Sequence, residues 1–120
     1  MIQVKKMPEY DVIVVGGGVA GVAAAVAAAR QGKRVIMLEQ SGTLGGSSVL
    51  AMVAELMNFD DGEKFISNGI GREIFKRLKY QNNNKREWYN IRYEELKRVY
   101  DDLVLQAGVE VMFYTHIVDA

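Results

Sequence analysis

The sequence predicts an α/β fold with a parallel sheet, and three features support this prediction. Residues 11–15, DVIVV, form a run rich in β-branched residues, which is typical of a strand buried on both faces of a parallel sheet. Residues 19–30 are strong helix formers, and a second strand-like run, KRVIMLE, follows at residues 33–39. Strand, helix and strand succeed one another within residues 10–40, which is the length of one βαβ unit.

The sequence also indicates where the first helix ends and where a second helix begins. Gly32 stands where a glycine commonly ends a helix. Residues 41–52, SGTLGGSSVLAM, begin small and polar and become apolar, which predicts a loop that leads into a helix. Ser47 or Ser48 suits the N-cap of that helix, because a hydroxyl oxygen accepts a hydrogen bond from a free helical amide.

The second half of the chain alternates loop signals with helical and strand patterns. Residues 58–70 predict a loop, residues 71–80 a helix and residues 81–87, QNNNKRE, a turn. Residues 93–108 predict a helix that stops at its terminal glycine, and residues 109–118, VEVMFYTHIV, a third strand. The apolar positions that define these two helices are Ile74, Phe75 and Leu78 in the first, and Leu96, Val99, Tyr100, Leu103, Val104 and Ala107 in the second.

The composition excludes several classes of partner. Apolar residues make up 49% of the 120 residues, and 15 basic residues balance 15 acidic ones. A chain without net charge offers no field that would attract nucleic acid or an anionic membrane. No segment resembles a membrane span or a secretory signal, and the absence of cysteine fits a reducing compartment. We therefore expect a soluble, cytoplasmic protein with neither nucleic acid nor membrane as a partner.

Three glycines directly after the first strand provide the clearest chemical signal. Gly16, Gly18 and Gly21 form the pattern G-x-G-x-x-G where a strand passes into a helix. The first permits the tight turn, the second lets a pyrophosphate approach the backbone, and the third lets the helix pack closely on the strands. Amides near Gly18, Val19 and Ala20 would point at the anion, aided by the helix dipole. An ordinary tight turn is the alternative, and the strand–helix context favours binding.

Glu39 ends the second strand, 18 positions after Gly21. A carboxylate near this spacing accepts hydrogen bonds from ribose hydroxyls, and its charge repels the additional phosphate of NADP. A solvated acid at a strand end is the alternative interpretation. Together, the glycines and Glu39 predict a Rossmann-like site for an adenine dinucleotide and leave FAD and NAD both open.

The choice between these two cofactors rests on a resemblance to a known family. Residues 11–48, from DVIVVGGG to LGGSS, resemble the N-terminal portion of FAD-dependent oxidoreductases of the glutathione-reductase-like superfamily. In that family a Gly-Gly pair follows the ribose-binding glutamate, as Gly45 and Gly46 do here. A plain flexible loop is the alternative for this pair. Residues 93–120 are also similar to the family's helix and third strand, whereas residues 52–88 match it only loosely.

This resemblance implies FAD as the cofactor and assigns residues to its parts. The glycine turn and the helix start would hold the pyrophosphate, and the end of the second strand would meet the adenosine ribose. The Gly-Gly loop would line the path toward the flavin, and Ile117, with Val118 as the alternative, would meet the adenine through its backbone. The implied cofactor-binding residues are Gly16, Gly17, Gly18, Val19, Ala20, Gly21, Glu39, Gln40, Gly45, Gly46, Ser47 and Ile117.

We expect residues 1–120 to form the N-terminal part of an FAD-binding, Rossmann-like domain that is incomplete by itself. Family chains continue beyond such a segment, so further chain segments or a second copy of the chain, as a homo-oligomer, would complete it. Alone, the segment should bind FAD weakly or not at all. The implied activity is that of an oxidoreductase, a flavoprotein that transfers hydride or electrons between a small-molecule substrate and the flavin.

Two other functions stay open at this point. An NAD-binding domain of a dehydrogenase would share the glycines and Glu39 but gives no reason for Gly45 and Gly46. A non-catalytic nucleotide-binding or structural module would use a dinucleotide only as a stabilising ligand. The sequence designates no catalytic residue and no metal ligand, which is expected where a flavin performs the electron chemistry.

Overall fold

The structure, a computed structural model, describes residues 4, 6–53, 55–56, 59–61, 63–78 and 89–119. Helices and short strands alternate along this part of the chain. The elements are β1 (Val12–Val15), α1 (Val19–Arg30), β2 (Val35–Leu38), α2 (Ser47–Leu50), β3 (Glu55–Leu56), α3 (Gly69–Arg77), β4 (Tyr89–Asn90), α4 (Tyr93–Ala107) and β5 (Glu110–Met112).

β1, β2 and β5 form a parallel sheet in which β2 is central. β1 pairs with β2 so that Val12 lies opposite Val35, and β2 pairs with β5 so that Leu38 lies opposite Met112. α1 joins β1 to β2, which confirms the predicted βαβ unit and the α/β fold class. β3 and β4 pair as a separate antiparallel ribbon.

The core lies between one face of this sheet and the two longest helices, α1 and α4. α1 buries Val22, Ala25 and Val26 completely, and these small side chains let the helix lie close to β1 and β2. α4 buries the predicted apolar face, and each large apolar side chain buried there contributes about 1.5–3 kcal/mol. Its buried positions are Leu96, Val99, Tyr100, Leu103 and Val104, with Ala107 half-buried against the same core.

An ion pair joins α3 to α1, and a hydrogen bond joins α3 to α4, at the edge of the core. Glu73 in α3 accepts hydrogen bonds from Arg30 of α1 at 2.7 and 3.1 Å and from Arg77 at 2.6 Å. Arg77 also donates to Gln106 of α4 at 2.7 Å. The hydrogen bond from Arg30 is the main reason that the pKa of the Glu73 carboxyl lies below its ordinary value. Because these side chains are partly exposed, each pair contributes about 1 kcal/mol or less.

The third strand is shorter than predicted, which corrects the expectation of a strand over residues 109–118. β5 ends at Met112. Tyr114 adopts a left-handed backbone conformation with a φ of 53°, which no extended strand contains. The chain turns there toward the loop after β2, where the N–H of Thr115 donates to the carbonyl of Glu39 at 2.9 Å. Long-range contacts have overridden the local strand propensity at this point.

The helix after the second strand also departs from its prediction. α2 spans Ser47–Leu50 only, and its N-cap is Gly46 rather than Ser47 or Ser48. The hydroxyl of Ser48 points back along the chain and donates to the carbonyl of Gly45 at 2.6 Å. The serine therefore stabilises the loop before the helix and does not cap the helix itself.

The middle of the chain follows the sequence pattern less closely. α3 begins at Gly69, inside the loop predicted for residues 58–70. Of the predicted apolar positions, Ile74 and the C-cap residue Leu78 are buried, and Phe75 is partly buried. The short strands β3 and β4 have no counterpart in the prediction. The turn predicted at residues 81–87 lies outside the described residues. Across the described ranges, none of the helices is both long and apolar enough to cross a membrane.

The burial of α4 predicts a large difference between two leucines of the same helix. Leu103 is 0% exposed and Leu105 is 74% exposed. Leu103→Ala should lower the free energy of unfolding by about 2–5 kcal/mol, because it removes buried contacts and leaves a cavity. The control Leu105→Ala should change it by about 0.5 kcal/mol or less. Urea unfolding followed by circular dichroism measures both values, and equal losses would contradict this assignment of the buried face.

Candidate functional site

Three loop segments meet at the carboxyl ends of the parallel strands. Gly16, directly after β1, donates its N–H to the carbonyl of Leu38 at the end of β2, at 2.8 Å. Glu39, directly after β2, donates its N–H to the carbonyl of Met112 at the end of β5, at 2.9 Å. In open parallel sheets, ligands bind outside the carboxyl ends of the strands. The predicted site residues lie on these three segments or in the first turns of α1 and α2, which follow them.

The turn between β1 and α1 leaves backbone amides uncovered. Gly16 has a φ of 93°, a conformation that favours glycine. Gly18 is the N-cap of α1, and no side chain of the described residues caps this helix, whose first amides have no intrahelical acceptor. A Cβ atom at Gly16 or Gly18 would meet no heavy atom within 4 Å, and Val19 and Ala20 are exposed beside them. This opening fits a pyrophosphate, which needs bare amides with no side chain in front of them.

The other two glycines of the turn face protein and not open space. A Cβ atom at Gly17 would lie 2.6 Å from Cδ2 of Leu44, and one at Gly21 would lie 1.9 Å from the carbonyl oxygen of Gly16. Gly21 therefore allows α1 to approach the turn that precedes it. The N–H of Gly17 is also occupied, because it donates to Oε2 of Glu39 at 2.6 Å.

Glu39 is a buried carboxylate held by main-chain amides. Only 6% of the residue is exposed. Oε2 accepts from the N–H of Gly17 at 2.6 Å, and Oε1 accepts from the N–H of Ser41 at 2.7 Å. Burial acts to raise the pKa of the Glu39 carboxyl, but hydrogen bonds from Ser41, Gly17 and Gln40 outweigh it, so the pKa lies below its ordinary value. A carboxylate has about four acceptor positions, so it can still accept from a ligand hydroxyl. The neighbouring Gln40 is exposed.

The structure brings the Gly-Gly pair against the glycine turn. Gly45 donates its N–H to the carbonyl of Gly17 at 2.8 Å, and a Cβ atom at Gly46 would lie 3.2 Å from the Cα of Gly18. Both glycines have positive φ, at 104° and 53°. A Cβ atom at Gly45 would lie 2.9 Å from Cε2 of the buried Tyr100, so this loop packs directly against α4. Ser47 is exposed at the start of α2.

The third segment lies beside the end of β2. The N–H of Thr115 donates to the carbonyl of Glu39 at 2.9 Å, which places this segment along the Glu39 backbone. Ile117 follows on the same segment with 44% of its surface exposed, and Val118 is 94% exposed. Both candidates for the adenine contact are therefore accessible.

Sequence reasoning missed the residues that connect these segments. Tyr114 donates its N–H to the carbonyl of Ser41 at 3.2 Å, and its ring lies against Gly42. No motif marks these positions, because the contact joins two loops from distant parts of the chain. Among the described residues, no three His, Cys, Asp or Glu side chains come together in a way that could hold a metal ion.

Comparison with known proteins identifies the family. Residues 11–120 match the family described as FAD dependent oxidoreductase. The chain belongs to the FAD-dependent oxidoreductase family. FAD is the cofactor of this family, which confirms the predicted choice of FAD over NAD.

Individual relatives in and around this family match parts of the chain. The urocanate reductase of Eggerthella lenta is 51% identical over 43 residues, which are 36% of this chain and 7% of that protein. The crystal structure of Thermovibrio ammonificans THI4 matches with a TM-score of 0.59 and 24% identity, over 87% of this chain and 38% of that one. Lactococcus lactis thioredoxin reductase matches with a TM-score of 0.55 and 24% identity, over 88% and 25%. These two structures show the shared fold, and the chain spans well under half of each relative.

The two kinds of glycine predict effects of different size for the same substitution on stability. Gly21→Ala should lower the free energy of unfolding by about 1–3 kcal/mol or more, because its Cβ would overlap the carbonyl of Gly16. This loss should appear although alanine has the better helix propensity by about 1 kcal/mol. Gly18→Ala should cost about 1 kcal/mol at most, the usual effect of alanine at an N-cap. Urea unfolding measures both variants, and a fully stable Gly21→Ala protein would contradict the close approach.

The hydrogen bonds of Glu39 predict a dependence of stability on pH. Because the folded pKa of Glu39 is lowered, its contribution is complete above the unfolded pKa of about 4.3 and is lost as pH falls through the lower folded pKa. Glu39→Gln should therefore destabilise the protein at about pH 7, and the difference from the unmodified protein should shrink toward about pH 3. Urea unfolding across this range measures the difference. The control Glu9→Gln, at an exposed position before β1, should change the free energy of unfolding by about 0.5 kcal/mol or less. A difference for Glu39→Gln that is independent of pH would contradict the prediction.

Proposed function

We propose that this chain forms the adenine-dinucleotide-binding part of an FAD-dependent oxidoreductase. The main support is the uncapped start of α1, where open space lies in front of Gly16 and Gly18. Membership of the FAD-dependent oxidoreductase family supports the same ligand. If protein side chains filled this opening, a pyrophosphate could not bind there.

The pyrophosphate would lie against the first turn of α1. Free amides near Gly18, Val19 and Ala20 would donate to the phosphoryl oxygens, and the helix dipole adds about 0.3–1 kcal/mol for each nearby negative charge. The absence of a side chain at Gly18 would let the phosphates reach the backbone. Gly45 and Gly46, which lie beside Gly17 and Gly18, would form the second wall of this cradle, with Ser47 at its outer edge. Gly17 and Gly21 would act by shaping it.

The adenosine would lie over the ends of β2 and β5. Glu39 would accept hydrogen bonds from the ribose hydroxyls, since its two amide contacts hold the carboxylate in place and leave acceptor positions unused. Its negative charge would disfavour the additional phosphate of NADP. Gln40 would border the ribose, and the backbone of Ile117 would meet the adenine edge. These residues bind and orient the cofactor.

The reaction would be carried out by a longer enzyme of which this chain forms a part. Bound FAD supplies hydride or electron transfer at its isoalloxazine ring, with a small-molecule substrate as the reaction partner. Further chain segments, or a second copy of the chain, would complete the domain. The exposure of Ile13 and Val15 supports this, because they are 60% and 64% exposed on β1, whereas strands of parallel sheets are usually covered on both faces.

The absence of cysteine and of net charge supports a place in the cytoplasm, without nucleic acid or membrane as a partner.

A ligand titration tests the cofactor. The chain should be stabilised by FAD at high concentration and less by NAD, and thermal unfolding measures both effects. At a ligand concentration of 100 times Kd, the gain in unfolding free energy is about 2.7 kcal/mol. Flavin absorbance that co-purifies with the chain would add support. Stabilisation by NAD without FAD would contradict the proposal, and stabilisation by neither would favour the non-catalytic module or an incomplete domain.

A substitution at Gly18 tests the place of the pyrophosphate. Gly18→Val should weaken FAD binding by about 1–3 kcal/mol, because its side chain enters the space that the phosphates require, while the fold should remain. The control is Gly71→Val in α3. This position is close in sequence to Glu73, which pairs with Arg30 at the end of α1 opposite to Gly18. A Cβ atom at Gly71 has only an ordinary contact with Ser67. Unchanged FAD binding by Gly18→Val would place the pocket elsewhere.

A further inference from the structure

Tyr114 is joined to the loop that follows Glu39. Its N–H donates to the carbonyl of Ser41 at 3.2 Å, and the N–H of the next residue, Thr115, donates to the carbonyl of Glu39 at 2.9 Å. These hydrogen bonds hold the segment after β5 alongside the segment after β2. Tyr114 therefore lies beside the backbone of residues 39–41, which includes the residue that we propose for the ribose.

The ring of Tyr114 rests on a glycine and is open on its other side. A Cβ atom at Gly42 would lie 2.2 Å from Oη and 2.7 Å from Cζ of the tyrosine, so only glycine leaves room for the ring. At the same time 80% of Tyr114 is exposed. The loop thus supports an aromatic ring that contributes little to the protein core.

The backbone of Tyr114 is unusual for its residue type. A φ of 53° lies in the left-handed region, which glycine, asparagine and aspartate adopt more readily than an aromatic residue. Such strain persists where the surrounding structure enforces it, and it concentrates at functional sites. An exposed tyrosine in this conformation gains little from packing, so a reason for the aromatic ring must come from outside the folded core.

We propose that the ring of Tyr114 is a stacking surface for the adenine base of the bound dinucleotide. This inference rests on the proposed function, since it places the base next to the ribose at Glu39. A flat, supported ring with one open face suits a purine, because base and aromatic ring stack through their π-faces. Tyr114 would thereby favour ligands that contain a nucleobase, and the backbone near Ile117 would contact the edge of the same base.

The test uses ADP, which contains adenine, ribose and pyrophosphate but no flavin, and inorganic pyrophosphate as the probe without a base. Ligand-detected NMR with the full chain measures weak binding of both. Tyr114→Ala should weaken ADP binding about tenfold and leave pyrophosphate binding unchanged. Tyr114→Phe should bind ADP within about twofold of the unmodified chain, because the ring is retained.

A control and a second variant separate stacking from loss of structure. Tyr10→Ala removes an aromatic ring before β1, at the opposite end of the sheet, where Tyr10 donates to Glu110, and should leave ADP binding unchanged. In a chain that retains Tyr114, Gly42→Ala should displace the tyrosine ring and so weaken ADP binding. It should have little further effect once Tyr114→Ala has removed the ring, since the two positions act through one contact.

The outcomes distinguish this inference from the proposed function. If ADP binds and Gly18→Val weakens its binding, but Tyr114→Ala binds ADP normally, the stacking role is wrong and the proposed function stands. If Tyr114→Ala weakens ADP and pyrophosphate equally, the residue acts on the loop and not on the base, which also overturns the stacking role. If ligand-detected NMR shows no binding of ADP or FAD even at millimolar concentration, where the weak affinity of an incomplete domain is still measurable, both proposals fail.

Discussion

The carboxylate of Glu39 accepts hydrogen bonds from main-chain amides of two loops, and the arrangement of the site depends on these contacts. Gly17 follows β1 and Ser41 follows β2, while the carbonyl of Glu39 accepts from Thr115 after β5. One residue therefore joins three segments that are distant in the sequence. The amides also stabilise the negative charge, so the ionised form is favoured although the side chain is buried. A ribose would meet an acceptor that is already held in place.

The glycines of the site solve two different physical problems. Gly17, Gly21 and Gly45 are needed because any side chain would collide with neighbouring protein atoms, so their role is close packing. Gly16 and Gly18 face open space, so the fold alone would tolerate a larger residue at the Gly18 position, whose φ of −67° suits any residue. A single motif thus combines a constraint from folding with a constraint from the proposed ligand. Stability measurements and binding measurements should separate the two.

The end of β5 shows how the site competes with regular structure. The sequence around Tyr114 has strand propensity, but the chain leaves the sheet after Met112 to reach the loop beyond Glu39. The positive φ of Tyr114 is local strain that these contacts maintain. The same turn places Thr115 beside the backbone of Glu39, the residue that we propose for the ribose. Shortening the strand therefore creates a surface at which a base could lie.

Local sequence patterns were enough to predict the βαβ unit, the apolar face of α4, the G-x-G-x-x-G turn and the family, because each of these follows from periodicity or from residues close together in the chain. The sequence placed Gly16, Gly18 and Glu39 near one another through the known geometry of strand, turn and helix. It could not show that Gly46 rather than Ser48 caps α2, that Gly17 binds Glu39 or that Tyr114 rests on Gly42. Those features depend on contacts between atoms of distant segments, and such contacts form only when the whole chain folds.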